Sequence, residues 1–205
     1  MNTYFGVHNH TMYSNLRLLD CINRPKDLIN TAKELGLSGI AITDHECLSA
    51  HMEINQLAAK MRETDPNFTI ALGNEIYLTD TRESGQKYYH FILIAKDAFG
   101  HRALRELSSI AWQNVYADRG MERVPTLKSE LREVMSRYKG HVIATSACIG
   151  GELGSAITLL TECEAVNDQV NGAVYYHQII DFVNFCKEIF GDDFYLECAP
   201  SNKED

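Results

Sequence analysis

The chain has 205 residues, 45% of them hydrophobic and 23% charged, with 19 Lys+Arg against 28 Asp+Glu for a formal net charge of −9. This is the composition of one ordinary globular domain, and it excludes collagen-like, coiled-coil and disordered chains. An acidic balance argues against a broad basic surface for gripping phosphates, but it leaves room for a divalent-metal site. No window approaches the roughly 18 apolar residues of a membrane span, and MNTYFGVHNH lacks the basic flank and apolar run of a signal peptide, so a cytoplasmic protein with no membrane partner is expected. Six cysteines (Cys21, Cys47, Cys148, Cys163, Cys186, Cys198) form no CxxC pair and read as reduced thiols.

Apolar, β-rich runs alternate with helical patterns along the chain. The first run is Tyr4–His10. Pro25 then opens a helix in which Leu28, Ile29, Ala32 and Leu35 recur at helical spacing, with Gly36 as its stop. Ser38–Thr43 is the second run, and a helix from Leu48 to about Glu63 ends at Asp65-Pro66. Phe68–Tyr77 and His90–Ala95 are the third and fourth runs, with polar Thr79–Lys87 a loop or hairpin between them. A helix over Phe99–Tyr116 leads into a loop at Ala117–Pro125. A helix over Thr126–Arg137 follows, with Thr126 and Ser129 as candidate N-caps. His141–Ser146 is the fifth run. A short helix at Leu153–Thr161, a long one over Asn171–Phe190 and a final run at Phe194–Cys198 complete the chain. Such alternation predicts βα units and a mainly parallel sheet, doubly wound or closed into a barrel.

In such folds chemistry gathers at the carboxyl ends of strands. His8 and His10, two apart at the end of the first run, leave one face and can grip one ion. Thr43-Asp44-His45 lies just past the second run, Glu75 inside the third, His90 at the start of the fourth, and Cys148 after the fifth. Imidazole, carboxylate and thiolate together suit zinc, manganese or iron, and a carboxylate such as Glu75 can bridge two ions in a phosphoryl displacement. Each residue also has an ordinary reading. An HxH pair often arises by chance, Asp44 can cap a helix, Glu75 can be a plain strand carboxylate, and Cys148 can be a small buried hydrophobe. His51, His101, His141 and His177 sit at positions that suggest no part in a site. Arg17, Arg24, Lys26, Arg119, Arg123 and Lys128 are the cations available for a basic groove, though scattered charges are ordinarily just solvated surface. The metal reading gains weight because five ligand-type residues fall at strand ends in successive βα units.

The strings HNHTMYSNLRLLDCIN, LGLSGIAITDHE, GNEIYL, YYHFILIAKDAFG, ATSACIGGEL and FGDDFYLE, in that order from about residue 4 to residue 198, resemble the PHP (polymerase and histidinol phosphatase) domain. The likeness is greatest to the form found at the N-terminus of bacterial DNA polymerase III alpha subunits. It implies an α/β fold, a distorted (βα)7 TIM-like barrel over residues 1–205, with two to three divalent ions held by His8, His10, Asp20, His45, Glu75, His90 and Cys148. Asp20 is singled out by the resemblance alone. The family's last motif, a DxH pair on the closing strand, is absent, which implies either a fragment or a short protein whose barrel lacks that strand. The implied activity is metal-dependent phosphoester hydrolysis, with a 3′–5′ exonuclease acting on single-stranded DNA as its specific form. A non-catalytic module docking other polymerase domains and a small-molecule phosphatase of the histidinol-phosphate kind are the competing readings. No GxSxG, P-loop or kinase pattern occurs, and the length leaves no room for polymerase palm and fingers.

Overall fold

In the computed structural model, residues 4–198 are described, except Leu18, Asp20 and Arg119. The strands are β1 (Phe5–Gly6), β2 (Gly39–Ile42), β3 (Thr69–Thr79), β4 (Tyr89–Ala95), β5 (Tyr116–Asp118), β6 (Met121–Arg123), β7 (Thr126–Leu127), β8 (Val142–Thr145) and β9 (Phe194–Tyr195). The helices are α1 (Pro25–Glu34), α2 (His51–Thr64), α3 (Ala98–Gln113), α4 (Lys128–Arg137), α5 (Glu152–Ala165) and α6 (Gln169–Phe190). None of the described helices is long and apolar enough to cross a membrane.

The main sheet runs β1-β2-β3-β4-β8-β9, with β7 paired to the far end of β3. It is a curled half-barrel with helices on its convex side. All its pairings are parallel except those of β4, which is antiparallel to both β3 and β8. The expected succession of βα units therefore fails at one step, since β3 turns directly into β4 as a hairpin across the polar 80–88 segment. That reversal places His90, at the start of its strand, beside the carboxyl ends of the parallel strands.

Alternation along the strands divides the sheet into two faces. Ile40, Ile42, Leu78, Phe91 and Leu93 point outward and are fully buried under the helices. One cluster packs β3, β4 and β8 against α3, α4 and α6, and a second packs β2 against α1 and α2. The concave face carries Ala41, Ala71, Ile92, Ile94 and Ile143 with Phe5 and Val7, around a cavity of about 560 Å³. Glycine is required on this face. A Cβ at Gly39 would lie 2.4 Å from the Thr69 carbonyl oxygen, and one at Gly73 2.8 Å from that of Leu93.

Two local expectations are corrected. Residues 117–125 contain the β5–β6 hairpin rather than a plain loop. Neither Thr126 nor Ser129 caps α4. Thr126 pairs with Leu78 in the sheet, and the helix begins from Leu127, whose N–H donates to Glu130 Oε2 at 2.9 Å.

His51, at the first turn of α2, locks that helix to the sheet. Its Nε2–H donates to the Gly73 carbonyl at 2.9 Å, and its Nδ1 accepts from His101 Nε2–H of α3 at 3.0 Å. Burial pushes its pKa down from 6.5 to about 4, with the charge of His101 adding to the effect. The folded chain thus binds fewer protons than the unfolded chain in this window, so the stability is complete above pH 6.5 and is lost as pH falls toward 4. Denaturant titrations from pH 7 to 4 should show a loss on the order of 3 kcal/mol from this residue. His51→Gln, which keeps a donor for Gly73 but does not titrate, should flatten that slope. An identical slope in wild type and variant would exclude His51 as its source.

Candidate metal centre

The concave face ends, at the carboxyl ends of β1, β2, β8 and β9, in a cluster built around Glu75. Its position in the middle of β3 removes it from water completely. An isolated carboxylate at such a place is strongly disfavoured, so cationic or metal partners must gather around it. Four imidazoles do so. His8 Nε2 and His10 Nε2 lie 3.5 and 3.2 Å from Glu75 Oε2, His45 Nδ1 lies 2.8 Å from the same oxygen, and His90 Nδ1 lies 2.6 Å from Oε1. His10 and His45 stack at 4.2 Å, and His90 stacks on Tyr77 at 4.8 Å. Cys148 Sγ is 3.6 Å from His90 Nδ1 and accepts from the Gly150 N–H at 3.4 Å.

Burial lowers the pKa of His8 and His90, but their carboxylate and thiol partners outweigh it and push both up to about 10. Burial likewise opposes ionisation of Glu75, yet contacts from His45, His8 and His90 hold its carboxyl far below the usual range. The contact with His90 lowers the Cys148 thiol. The cluster is a set of bases whose charge balance depends on one buried anion.

These residues form two overlapping groups whose ligand atoms converge within 4.8 Å, one of His8, His10 and Glu75 and one of Glu75, His90 and Cys148. Glu75 belongs to both, as a bridging carboxylate must. Although four nitrogens crowd its oxygens, neither oxygen has a hydrogen bond of acceptable geometry. A divalent ion would displace the extra ring protons of His8 and His90 and draw these nitrogens and the Glu75 oxygens to itself, and the donor set fits zinc, manganese or iron. Of the seven residues singled out from the sequence, six are thus brought together. Asp20 lies outside the described residues.

Three supporting residues escaped sequence reasoning. Glu197, two beyond Tyr195 on the concave side, accepts from His8 Nδ1–H at 2.7 Å and from Thr145 Oγ1 at 2.9 Å. It fixes the tautomer that turns His8 Nε2 toward Glu75 and joins the two edges of the sheet, β1 and β9, through side chains. Asp44 does not cap α2. It is buried and accepts from Thr11 N, Thr11 Oγ1 and Ser14 Oγ at 2.6–2.8 Å, while Ser14 Oγ accepts from the His45 N–H at 3.1 Å. Burial raises its pKa against those hydrogen bonds. Tyr77 approaches His45 Nδ1 with its hydroxyl at 3.4 Å. The FYLE and TDH strings contained Glu197 and Asp44, but nothing local marked them as supports for other side chains.

Backbone strain also serves the cluster. Glu46 and Ala147, non-glycine residues with φ of 50° and 58°, directly follow His45 and precede Cys148. Such residues persist where the surroundings over-determine them.

A family model described as "PHP domain" matches residues 6–201. A DNA-directed DNA polymerase of Bacillus phage SPbeta is 39% identical over 98% of this chain and 16% of its own length. DNA polymerase III alpha subunits of Campylobacter jejuni and Borreliella burgdorferi are 30% and 29% identical over 96% and 95% of this chain. The chain spans 15% of each. An amidohydrolase from Chromobacterium violaceum superposes on half of the chain, and on 32% of its own, at 20% identity and a TM-score of 0.35.

Glu197→Ala should weaken divalent-ion binding, measured by calorimetry with Mn²⁺ or Zn²⁺, by about 10- to 100-fold, the usual loss when the carboxylate behind a histidine ligand is removed. Glu197→Gln, which retains an acceptor without the charge, should fall between. Unchanged affinity in both variants would mean that His8 is oriented by something else.

Proposed function

This chain belongs to the PHP domain family, and we propose that its Glu75-centred cluster is a divalent-metal site that hydrolyses phosphoester bonds. The observation that carries this reading is the fully buried Glu75, shared by two groups of converging ligand atoms, His8, His10 and Glu75 on one side and Glu75, His90 and Cys148 on the other. His8, His10 and His45 would hold the metal on one side of it, and His90 and Cys148 on the other, with Asp20 as a further ligand. When bound, divalent ions lower the pKa of a coordinated water to near neutrality and offset charge on the phosphoryl oxygens.

The chain's own residues supply the remaining requirements. The apolar floor formed by Ile92, Ala41 and Ala147 excludes water beneath Glu75 and strengthens every charge interaction above it. Glu197 keeps a proton on His8 Nδ1, so that Nε2 is left as the ligating atom. Asp44 and Ser14 hold the loop after β1 against the backbone of His45, so the ligands of two motifs move as one body. No separate protein base is needed within reach of the reacting atoms.

For the specific activity we favour a 3′–5′ exonuclease on single-stranded DNA, working beside polymerase domains in the cytoplasm. The supporting fact is that the relatives covering nearly the whole chain are DNA polymerases, of which it spans about a sixth or less. Wild type supplied with Mn²⁺ or Zn²⁺ should hydrolyse a 3′-labelled oligonucleotide and a chromogenic phosphodiester. Glu75→Gln should lower kcat/KM by at least about a thousandfold, as loss of a bridging ligand disables both ions. Metal bound at full stoichiometry with no hydrolysis of either substrate would overturn the enzymatic reading in favour of a structural one.

A further inference from the structure

Beyond Glu75 the β3–β4 hairpin continues as a wall above the cluster. On the face shared by Glu75 and Ile92, the next register pair is Tyr77 and His90. Tyr88 immediately precedes β4 and, two residues from His90, shares its side. It is displaced by about 7 Å along the strand, the reach of one nucleotide. The β5–β6 hairpin packs against it. The Tyr88 hydroxyl meets that of Tyr116, and the Arg123 guanidinium lies over the Tyr88 ring at 5.5 Å from its centroid.

The hairpin is anchored on both sides. Ser84 Oγ donates to Asp118 Oδ1 at 2.6 Å, and Arg17 donates to the Glu122 carbonyl at 2.8 Å. Arg17 is itself neutralised by Glu46 at 2.9 Å and covered by Trp112. Arg123 differs. Among the described residues no carboxylate stands within ion-pair distance of it, and its Nε is buried without a hydrogen-bond partner. A guanidinium with unmet donors, held on an aromatic ring one strand step from the cluster, combines the two groups that single-stranded nucleic acids use, a cation for the backbone and π-faces for bases.

We propose that Arg123, seated on Tyr88, is the strand-binding subsite of the centre. It receives the phosphate adjoining the one hydrolysed and selects a single nucleic-acid strand over a small phosphoester. This rests on the phosphoesterase reading above. It explains how an acidic domain holds a polyanion, because one unpaired cation at the right distance suffices to set register, whereas a broad basic surface is needed only for non-specific grip.

The test compares wild type, Arg123→Ala and Arg123→Gln in two assays. Binding of fluorescein-labelled oligothymidylate is followed by anisotropy over a range of salt. Hydrolysis of that oligonucleotide and of bis(p-nitrophenyl) phosphate is followed with Mn²⁺. Removing Arg123 should raise the oligonucleotide Kd and KM about tenfold and reduce the slope of log K against log salt by about 0.7, the value for one single-strand phosphate contact. The ratio of kcat/KM for oligonucleotide to that for the small diester should fall about tenfold. Arg123→Gln keeps most of the side-chain volume and carries the comparison should the alanine variant fail to fold. An unchanged Kd and salt slope, absence of oligonucleotide binding by wild type, or an equal fall for both substrates would overturn the proposal. If wild type binds the strand but hydrolyses neither substrate, the phosphoesterase reading fails while the anisotropy series still decides the role of Arg123.

Discussion

A single carboxylate sealed inside a curved sheet governs this structure. Glu75 has no exposed surface, and an uncompensated ion at such a site would cost several kcal/mol even after relaxation. Everything that compensates it arrives from a different segment: His8 and His10 from the end of β1, His45 from the end of β2, His90 from the antiparallel β4, and Cys148 from the turn after β8. No two of these segments are held together by a disulfide or a shared helix. The sheet must therefore curl far enough for four strand-end segments to converge on the middle of β3, and the small residues on its concave face, Gly39, Ala41, Ala71 and Gly73, leave the space for that curvature.

Convergence alone does not orient ligands, and the remaining polar network around the cluster does. Glu197 sets His8, Ser14 and Asp44 set the backbone of His45, and the strained Glu46 and Ala147 turn the chain at His45 and Cys148. Glu197 and Ser14 lie in segments other than those they steady, and Asp44, next to His45, acts by gripping Thr11 and Ser14 of the loop after β1. The site is consequently as rigid as the packing between β1, β2, β8 and β9, and distortion of any one edge is transmitted to the nitrogens facing Glu75. Glu197 has a second effect: following β9, it binds His8 after β1, bridging the two edges of the sheet that backbone pairing leaves apart, and it also accepts from Thr145 of the neighbouring β8.

Much of this was legible in the sequence, for physical reasons that differ from residue to residue. The strands and helices follow from apolar periodicity because the outer face is packed and the inner face is largely apolar too. His8, His10, His45, Glu75, His90 and Cys148 stood out because ligand-type side chains at strand ends are conspicuous against apolar runs. The direction of β4 was not legible, since an apolar run reads the same in either sense, and only the polar 79–87 segment hinted at a hairpin. Glu197 and Asp44 were missed because their roles depend on partners 189 and 33 residues away. The cap expected at Thr126 failed because Thr126 pairs with Leu78 in the sheet, and Ser129 falls inside α4, after the helix has begun from Leu127.

The net charge of −9 illustrates how a global quantity can mislead about a local surface. Several of the acidic residues are committed internally: Glu46 to Arg17, Glu152 and Asp80 to Lys128, Glu130 to Arg82, and Glu75 and Glu197 to histidines. Lys128, counted from the sequence among possible groove cations, is thereby removed from that role, as is Arg17. In the proposed function, two or three divalent ions at the cluster would add about +4 to +6 at the place where a phosphoester would approach. In that function, the field at the mouth of the site would be set by those ions and the nearest unpaired cation, while acidic groups elsewhere on the surface are screened from it by distance and salt. An acidic domain can therefore present a cationic mouth, and the sign of its total charge is no guide to what enters it.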